Sequence, residues 1–195
     1  MVPFAGWEMP VQYEGVIPEH VAVREDCGVF DVSHMGELHV DGPTAQPFLQ
    51  GMLSNDIDRV EDGGAQYTLL TNERGGIVDD LIAYRMAHGS FLLVVNASNR
   101  AAGYDWLKRR VPRGCEVRDA SDEYGLLAVQ GPRSLERLGL PDAPFFTHAL
   151  GEIDGIEVMI CRTGYTGEKG VEVCCAAEDA AALWDAVVAR GATPC

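Results

Sequence analysis

Two acids stand side by side in the run Ile77-Val78-Asp79-Asp80-Leu81-Ile82-Ala83-Tyr84-Arg85-Met86. The run has the composition of a strand, and strand side chains alternate between two faces. Asp79 then shares a face with Ile77, Leu81, Ala83 and Arg85, and Asp80 shares the other with Val78, Ile82, Tyr84 and Met86. Asp80 is thereby the one acid among apolar or aromatic neighbours. An ionised carboxylate buried there costs several kcal/mol unless it is paired. A carboxyl in such a setting tends to have a raised pKa, which suits proton transfer or pairing with a cationic ligand. The plainer alternative is a structural acid that caps a neighbouring turn or pairs with a buried Arg. Glu172 has a similar setting, between Val171 and Val173 and beside the loop Thr163-Gly164-Tyr165-Thr166-Gly167-Glu168-Lys169-Gly170. The glycines allow positive φ and close backbone approach. Tyr165 can stack on a flat ligand, and a carboxylate can read a guanidine-like ring edge through two parallel N–H bonds. The plainer alternative here is a tight hairpin with an exposed Glu.

Other chemistries lack their signatures. There is no P-loop with Lys-Ser/Thr, no G-x-G-x-x-G opening a helix after a strand, and no G-x-S-x-G elbow. His20, His34, His39, His88 and His148 show no zinc-ligand spacing, and His34 and His39, either side of Gly36, read as structural.

The elements that must hold these residues read as follows. Pro18 opens a helical run from Glu19 to Cys27, which Gly28 stops. Leu38 and Val40 alternate with His39 and Asp41 as a short strand, and residues 44–53 read as a helix with Phe48, Leu49, Met52 and Leu53 on one side. An antiparallel meander follows: Tyr67 to Thr71, Ile77 to Met86 and Phe91 to Val95, joined by a turn over Asn72 to Gly76 and one over His88-Gly89-Ser90. Ser98 or Asn99 N-caps a helix running to about Arg110, ended by Pro112 and Gly114. A strand from Leu126 to Gln130 leads to a short helix, Ser134 to Leu138, then a Pro-rich link. The hairpin Ile156 to Arg162 and Val171 to Ala176 and a helix from Ala180 to Arg190, stopped by Gly191, complete the chain. Strand pairs interleaved with helices give the α+β class rather than a doubly wound parallel sheet.

The 195 residues suggest one or two domains. With 15 Lys plus Arg against 30 Asp plus Glu, the formal charge is −15. That argues against nucleic acid and anionic membrane as partners, because both need a cationic surface. The acidity is uneven. Between Arg100 and Arg118, Lys108, Arg109, Arg110 and Arg113 add to a net positive stretch that reads either as a solvated face or as a docking patch for an acidic partner. Cys27, Cys115, Cys161, Cys174, Cys175 and Cys195 fit neither a zinc site nor a secreted disulfide scaffold, and point to reduced thiols and a cytoplasmic location. The start MVPFAGWEMP lacks a signal-peptide pattern, and no apolar run is long enough to span a bilayer.

Five stretches, MVPFAGWEMPVQY, VFDVSHMGEL, TNERGGIVDDLIAYR, VVNASNR and RTGYTGEKGVE, together resemble the T-protein family of the glycine cleavage system, the aminomethyltransferases. They occur in the family's order from residue 1 to about 175, and as a set they are highly specific. The resemblance implies the folate-binding aminomethyltransferase fold, with two antiparallel-sheet lobes and flanking helices. It also implies a chain truncated at both ends relative to the family, without the C-terminal barrel-like domain. Residues 1–44 and 130–195 would form a discontinuous first lobe, and 45–129 an inserted second lobe.

The implied activity transfers an aminomethyl group from the lipoyl arm of H-protein to tetrahydrofolate, giving methylenetetrahydrofolate, ammonia and dihydrolipoyl H-protein. No metal is implied. By this resemblance Asp80, the second acid of Val-Asp-Asp, is the catalytic aspartate, Glu172 reads the pterin, Tyr165 is the adjacent pocket tyrosine, and Tyr67 and Asn96 line the folate site. Asp80, Asn96 and Glu172 fall on predicted strands and Tyr165 on a loop. Relatives of the same fold give other expectations. An iron–sulfur assembly protein carries Lys-Gly-Cys-Tyr-x-Gly-Gln-Glu where this chain has Arg-Thr-Gly-Tyr-Thr-Gly-Glu, without the Cys. Oxidase fusions need a flavin-binding half that is absent here. Folate-dependent demethylases use related pockets, and a fragment that only binds folate is the non-catalytic alternative.

Overall fold

A computed structural model describes residues 1–86 and 89–195. The elements in chain order are β1 (Val2–Phe4), β2 (Trp7–Met9), α1 (Val16–Glu25), β3 (Gly28–Asp31), β4 (Gly36–Asp41), α2 (Ala45–Met52), β5 (Ala65–Thr71), β6 (Ile77–Met86) and β7 (Ser90–Val95). They continue with α3 (Arg100–Lys108), β8 (Glu116–Asp119), β9 (Tyr124–Gln130), α4 (Ser134–Leu138), β10 (His148–Ile153), β11 (Ile156–Cys161), β12 (Gly170–Ala176), α5 (Ala180–Ala189) and β13 (Thr193–Pro194). Sheets with a few flanking helices place the chain in the α+β class.

The chain divides into two compact units, one of residues 1–34 and 123–195 and the other of residues 35–122. The second is a five-stranded antiparallel sheet in the order β5-β6-β7-β4-β8. One face carries Leu38, Val40, Leu81, Ala83, Phe91, Leu93 and Val95, and packs with Leu49 of α2 and Leu107 of α3. These positions alternate along each strand, so burying one face fixes the register. The first unit holds a six-stranded sheet, β10-β11-β12-β9-β3-β13, antiparallel except where β13 runs parallel to β3. Val29, Leu127, Val129, Val171 and Val173 pack there with Leu183 and Val187 of α5. A separate hairpin pairs β1 with β2.

The unit boundaries differ from 44/45 and 129/130. β4 takes both its neighbours, β7 and β8, from within 35–122, so it belongs with the five-stranded sheet. β9 pairs along its length with β12 and also with β3, which places all of it in the other unit. β3, β8, β10, β13 and the β1–β2 hairpin are additional to the elements expected, and α1 begins earlier, at Val16. β6 and β7 pair from Leu81↔Val95 to Met86↔Ser90. His88, expected in the turn between them, lies outside the described residues.

The net positive stretch from Arg100 to Arg118 is largely paired within its own unit. Arg100 bonds Asp119 and Asp122, Arg109 bonds Asp105, and Arg110 bonds Glu73 while lying over the Trp106 ring. Lys108 donates to the Val117 carbonyl. The patch is thus a set of local ion pairs of the kind found on solvated surfaces.

Candidate functional site

The two acids of β6 are placed the opposite way from the sequence expectation. Asp79 is the buried one, 2% exposed, and Asp80 is exposed. Leu81 and Ala83 face the packed core, so Asp79, two residues before Leu81, enters it with them. Alternation alone does not decide this, because both faces of Ile77 to Met86 are apolar.

Asp80 is nonetheless tightly placed. Its Oδ2 accepts from the Tyr67 hydroxyl at 3.0 Å, and its Oδ1 accepts from the Asn96 side-chain amide at 3.0 Å. The same Asn96 Nδ2 donates to the Asp80 carbonyl at 2.9 Å. Tyr67 stands on β5 and Asn96 immediately follows β7 rather than lying in a strand. Three adjacent segments of the sheet therefore bring Tyr67, Asp80 and Asn96 together. An ionised carboxylate has room for about four hydrogen bonds. With one donor on each oxygen, Asp80 keeps acceptor capacity on a solvent-facing side. A carboxylate so fixed can stabilise a neighbouring positive charge without reorganising.

Glu172 and Tyr165 lie in the other unit. Glu172 is in β12, opposite Cys161 of β11 and Ala128 of β9, and its Oε2 accepts from the Thr163 hydroxyl. The loop from Thr163 to Gly170 is anchored by a residue that the sequence did not single out. Gln130 is fully buried, its Nε2 donates to the carbonyls of Thr163 and Val171, and its Oε1 accepts from the Thr166 hydroxyl at 2.9 Å. Gly164 packs so closely on Gln130 that a Cβ there would collide with its amide, and Gly167 has φ +79°. Buried Arg162 donates to the Gly170 carbonyl, and Arg24 of α1 donates to the Thr166 carbonyl at 2.8 Å. On this fixed backbone the Tyr165 side chain is 98% exposed.

Tyr165 borders a cleft of about 630 Å³, formed with Trp7, Tyr13, Phe30 and His34. Glu172 is not in its wall. Burial lowers the affinity of His34 for a proton, and the Phe4 ring meets it edge-on. Glu19, also on the cleft, is buried and takes the backbone N–H groups of Tyr13, Glu14 and Gly15 on one oxygen, at 2.7, 2.7 and 2.8 Å. Those bonds hold its pKa below the usual carboxylate range. In the sequence Glu19 was marked only by its place after Pro18 at the start of a helical run. Among the described residues, no group of three or more His, Cys, Asp or Glu side chains gathers as a metal site.

Residues 1–194 match the GCVT N-terminal domain family. The chain belongs to that family. Aminomethyltransferase from Chloroherpeton thalassium is 48% identical over 198 residues, spanning 98% of this chain and 55% of its own length. Aminomethyltransferase from Geobacillus kaustophilus is also 48% identical, over 98% of this chain and 54% of its own. The crystal structure of glycine cleavage system aminomethyltransferase T from Bartonella henselae matches with a TM-score of 0.87 at 38% identity, covering 97% of this chain and 54% of that one. A chain of the heterotetrameric sarcosine oxidase from Corynebacterium sp. U-96 shares the fold at 17% identity, with a TM-score of 0.64 over 90% of this chain and 92% of its own. This chain spans about half the length of the curated relatives it matches.

Proposed function

We propose that this chain carries the folate-binding and catalytic carboxylate part of a tetrahydrofolate-dependent aminomethyltransferase. Its substrates are an aminomethyl group on the lipoyl arm of an H-protein and tetrahydrofolate. Its products are methylenetetrahydrofolate, ammonia and the dihydrolipoyl partner. The observation that carries the reading is the Asp80 carboxylate, exposed yet held on both oxygens by Tyr67 and Asn96. One folate nitrogen attacks the aminomethyl carbon as its C–S bond breaks, and the lipoyl sulfur leaves as a thiol by taking up the proton that this nitrogen gives up. Ammonia then leaves from the same carbon, which gains iminium character on the folate, and a fixed carboxylate stabilises that charge. The second folate nitrogen closes onto this carbon, and Asp80 accepts its proton and passes it to the ammonia. Holding two large carriers in register supplies much of the remaining rate.

The residues assigned to the pterin have the chemistry for it. Glu172 offers a carboxylate to the 2-amino and ring N–H edge, with Thr163 holding one oxygen. Tyr165 offers an open ring face for stacking. All six cysteines are free thiols, which fits a reducing compartment such as the cytoplasm. Among the described residues no helix is long and apolar enough to cross a membrane.

The test is thermal unfolding of this chain with increasing tetrahydrofolate. A ligand that binds only the folded state raises the Tm with the logarithm of its concentration. No rise at millimolar ligand defeats the folate assignment. Ammonia release in the presence of lipoylated H-protein, set against methyl transfer from methoxylated or methylthio substrates, separates aminomethyl transfer from demethylation.

A further inference from the structure

Asp79, the acid beside Asp80, has no part in that reading, yet it is the more heavily engaged of the two. It is 2% exposed, and the donors it holds are amides. Its Oδ2 accepts the backbone N–H of Asn96 at 3.0 Å. Its Oδ1 accepts the Asn96 side-chain amide at 2.9 Å and the Asn99 side-chain amide at 2.6 Å. A buried carboxylate is costly unless several donors satisfy it, so its place in the core needs those amides.

The same Asn96 Nδ2 that meets Asp79 also reaches Asp80. An Asn side chain can turn over and exchange its oxygen for its nitrogen, and only its hydrogen-bond partners decide which way it points. An ionised carboxylate accepts and never donates. Asp79 therefore forces the nitrogen, not the oxygen, toward the two acids. By also taking the Asn96 backbone N–H, it keeps that residue from sliding past the end of β7. We infer that Asp79 is a positioning residue: its buried carboxylate orients the Asn96 amide, and that amide, with the Tyr67 hydroxyl, sets the plane of the Asp80 carboxylate. The inference rests on the proposed role of Asp80 for its meaning in catalysis, but its structural content stands apart from that role.

Asp79→Asn keeps size and shape and turns one acceptor into a donor. The new amide then meets donors from Asn96 and Asn99, and one of them must turn away. In the folded Asp79→Asn chain, hydrogen exchange of the Asn96 side-chain amide, followed by NMR, is expected to accelerate at least roughly tenfold. Asn99→Ala removes the third donor and leaves both Asn96 bonds, so Asn96 protection is expected to persist. Unchanged Asn96 exchange in folded Asp79→Asn overturns the inference, as does equal loss of protection in Asn99→Ala. Should Asp79→Asn fail to fold, the unaltered chain decides. A scalar coupling through the hydrogen bond from Asn96 Nδ2 to the Asp79 carboxyl carbon is expected, and its absence overturns the inference.

Turnover supplies the catalytic arm. With tetrahydrofolate and lipoylated H-protein, Asp79→Asn is expected to lower kcat by roughly 100-fold and leave the KM for folate within a few-fold, since misplacing a reacting group costs about that much. An unchanged kcat with a loosened Asn96 overturns the catalytic arm. An unaltered chain that neither binds nor turns over folate, with the Asn96 exchange pattern as expected, instead defeats the reading of the site and leaves the positioning intact.

Discussion

At the corner of β6 each oxygen of Asp80 has its own donor, and the amide that supplies one of them is itself tied to a buried acid. In the loop from Thr163 to Gly170 the polar effort goes into the backbone instead. Gln130, Arg162 and Arg24 hold its carbonyls, and the Tyr165 ring is left open to solvent. The first plan suits a group that must face a developing charge without moving. The second suits recognition, because an exposed ring on a rigid backbone gains buried area only when a flat ligand covers it. Preorganisation thus sits in the side chains of one region and in the main chain of the other.

Asp80→Asn strikes this contrast hardest. It keeps shape and removes charge, so turnover is expected to fall roughly 100- to 1,000-fold while tetrahydrofolate affinity by calorimetry stays within a few-fold. Near-normal turnover would place the chemistry elsewhere. Glu172→Ala should do the reverse and weaken folate binding by about tenfold or more, as lost hydrogen bonds to a charged group do. Tyr165→Ala, which forfeits only stacking, should cost several-fold in the same titration.

Glu37 sharpens the comparison from a third position. It lies in the same sheet as Asp79 and is equally buried, 1% exposed, but neither of its oxygens has a hydrogen-bond partner. Burial pushes its carboxyl up to about 8; Arg100 opposes the rise and Asp119 adds to it. Because the folded value lies above the ordinary 4.5, the fold binds the extra proton between the two. The contribution of Glu37 to stability is fully present below about pH 4.5 and is lost as pH rises to about 8, by less than ~1.4 kcal/mol per pH unit. Denaturant midpoints across that range should show this slope, and Glu37→Gln should flatten it. The smallest effect is expected at Lys108, Arg109 and Arg110. Their charges are spent on Val117, Asp105 and Glu73, so reversing them should leave folate affinity unchanged.

Much of this was legible in the residues. Segments of strand composition such as Ile77–Met86, and the short helix Ser134–Leu138 behind Gly131-Pro132, stand where composition puts them. β10 does not alternate cleanly: His148-Ala149-Leu150-Gly151-Glu152-Ile153 leaves Leu150 exposed and buries Ile153, and prolines precede it. β3 and β13 are short and draw their order from partners distant in sequence, which no local pattern contains. The resemblance gave Asp80 as the catalytic acid and Tyr67 and Asn96 as folate-site residues, but which acid of the pair is buried depends on what covers each face of the sheet. Gln130 looks like the polar end of a strand, and only the returning loop makes it an anchor.

The parallel pairing of β13 with β3, Thr193 opposite Gly28, has a consequence for biosynthesis. Residues 35–122 form their sheet from one continuous stretch, so a nascent chain can close it while the ribosome is still working. Gly28–Asp31 emerges earlier and waits longer. One of its edges is filled by β9 and the other only by β13. Until then the N–H and C=O groups of that edge are open to neighbouring polypeptides, so during translation this short strand carries the pairing hazard of an uncovered sheet edge.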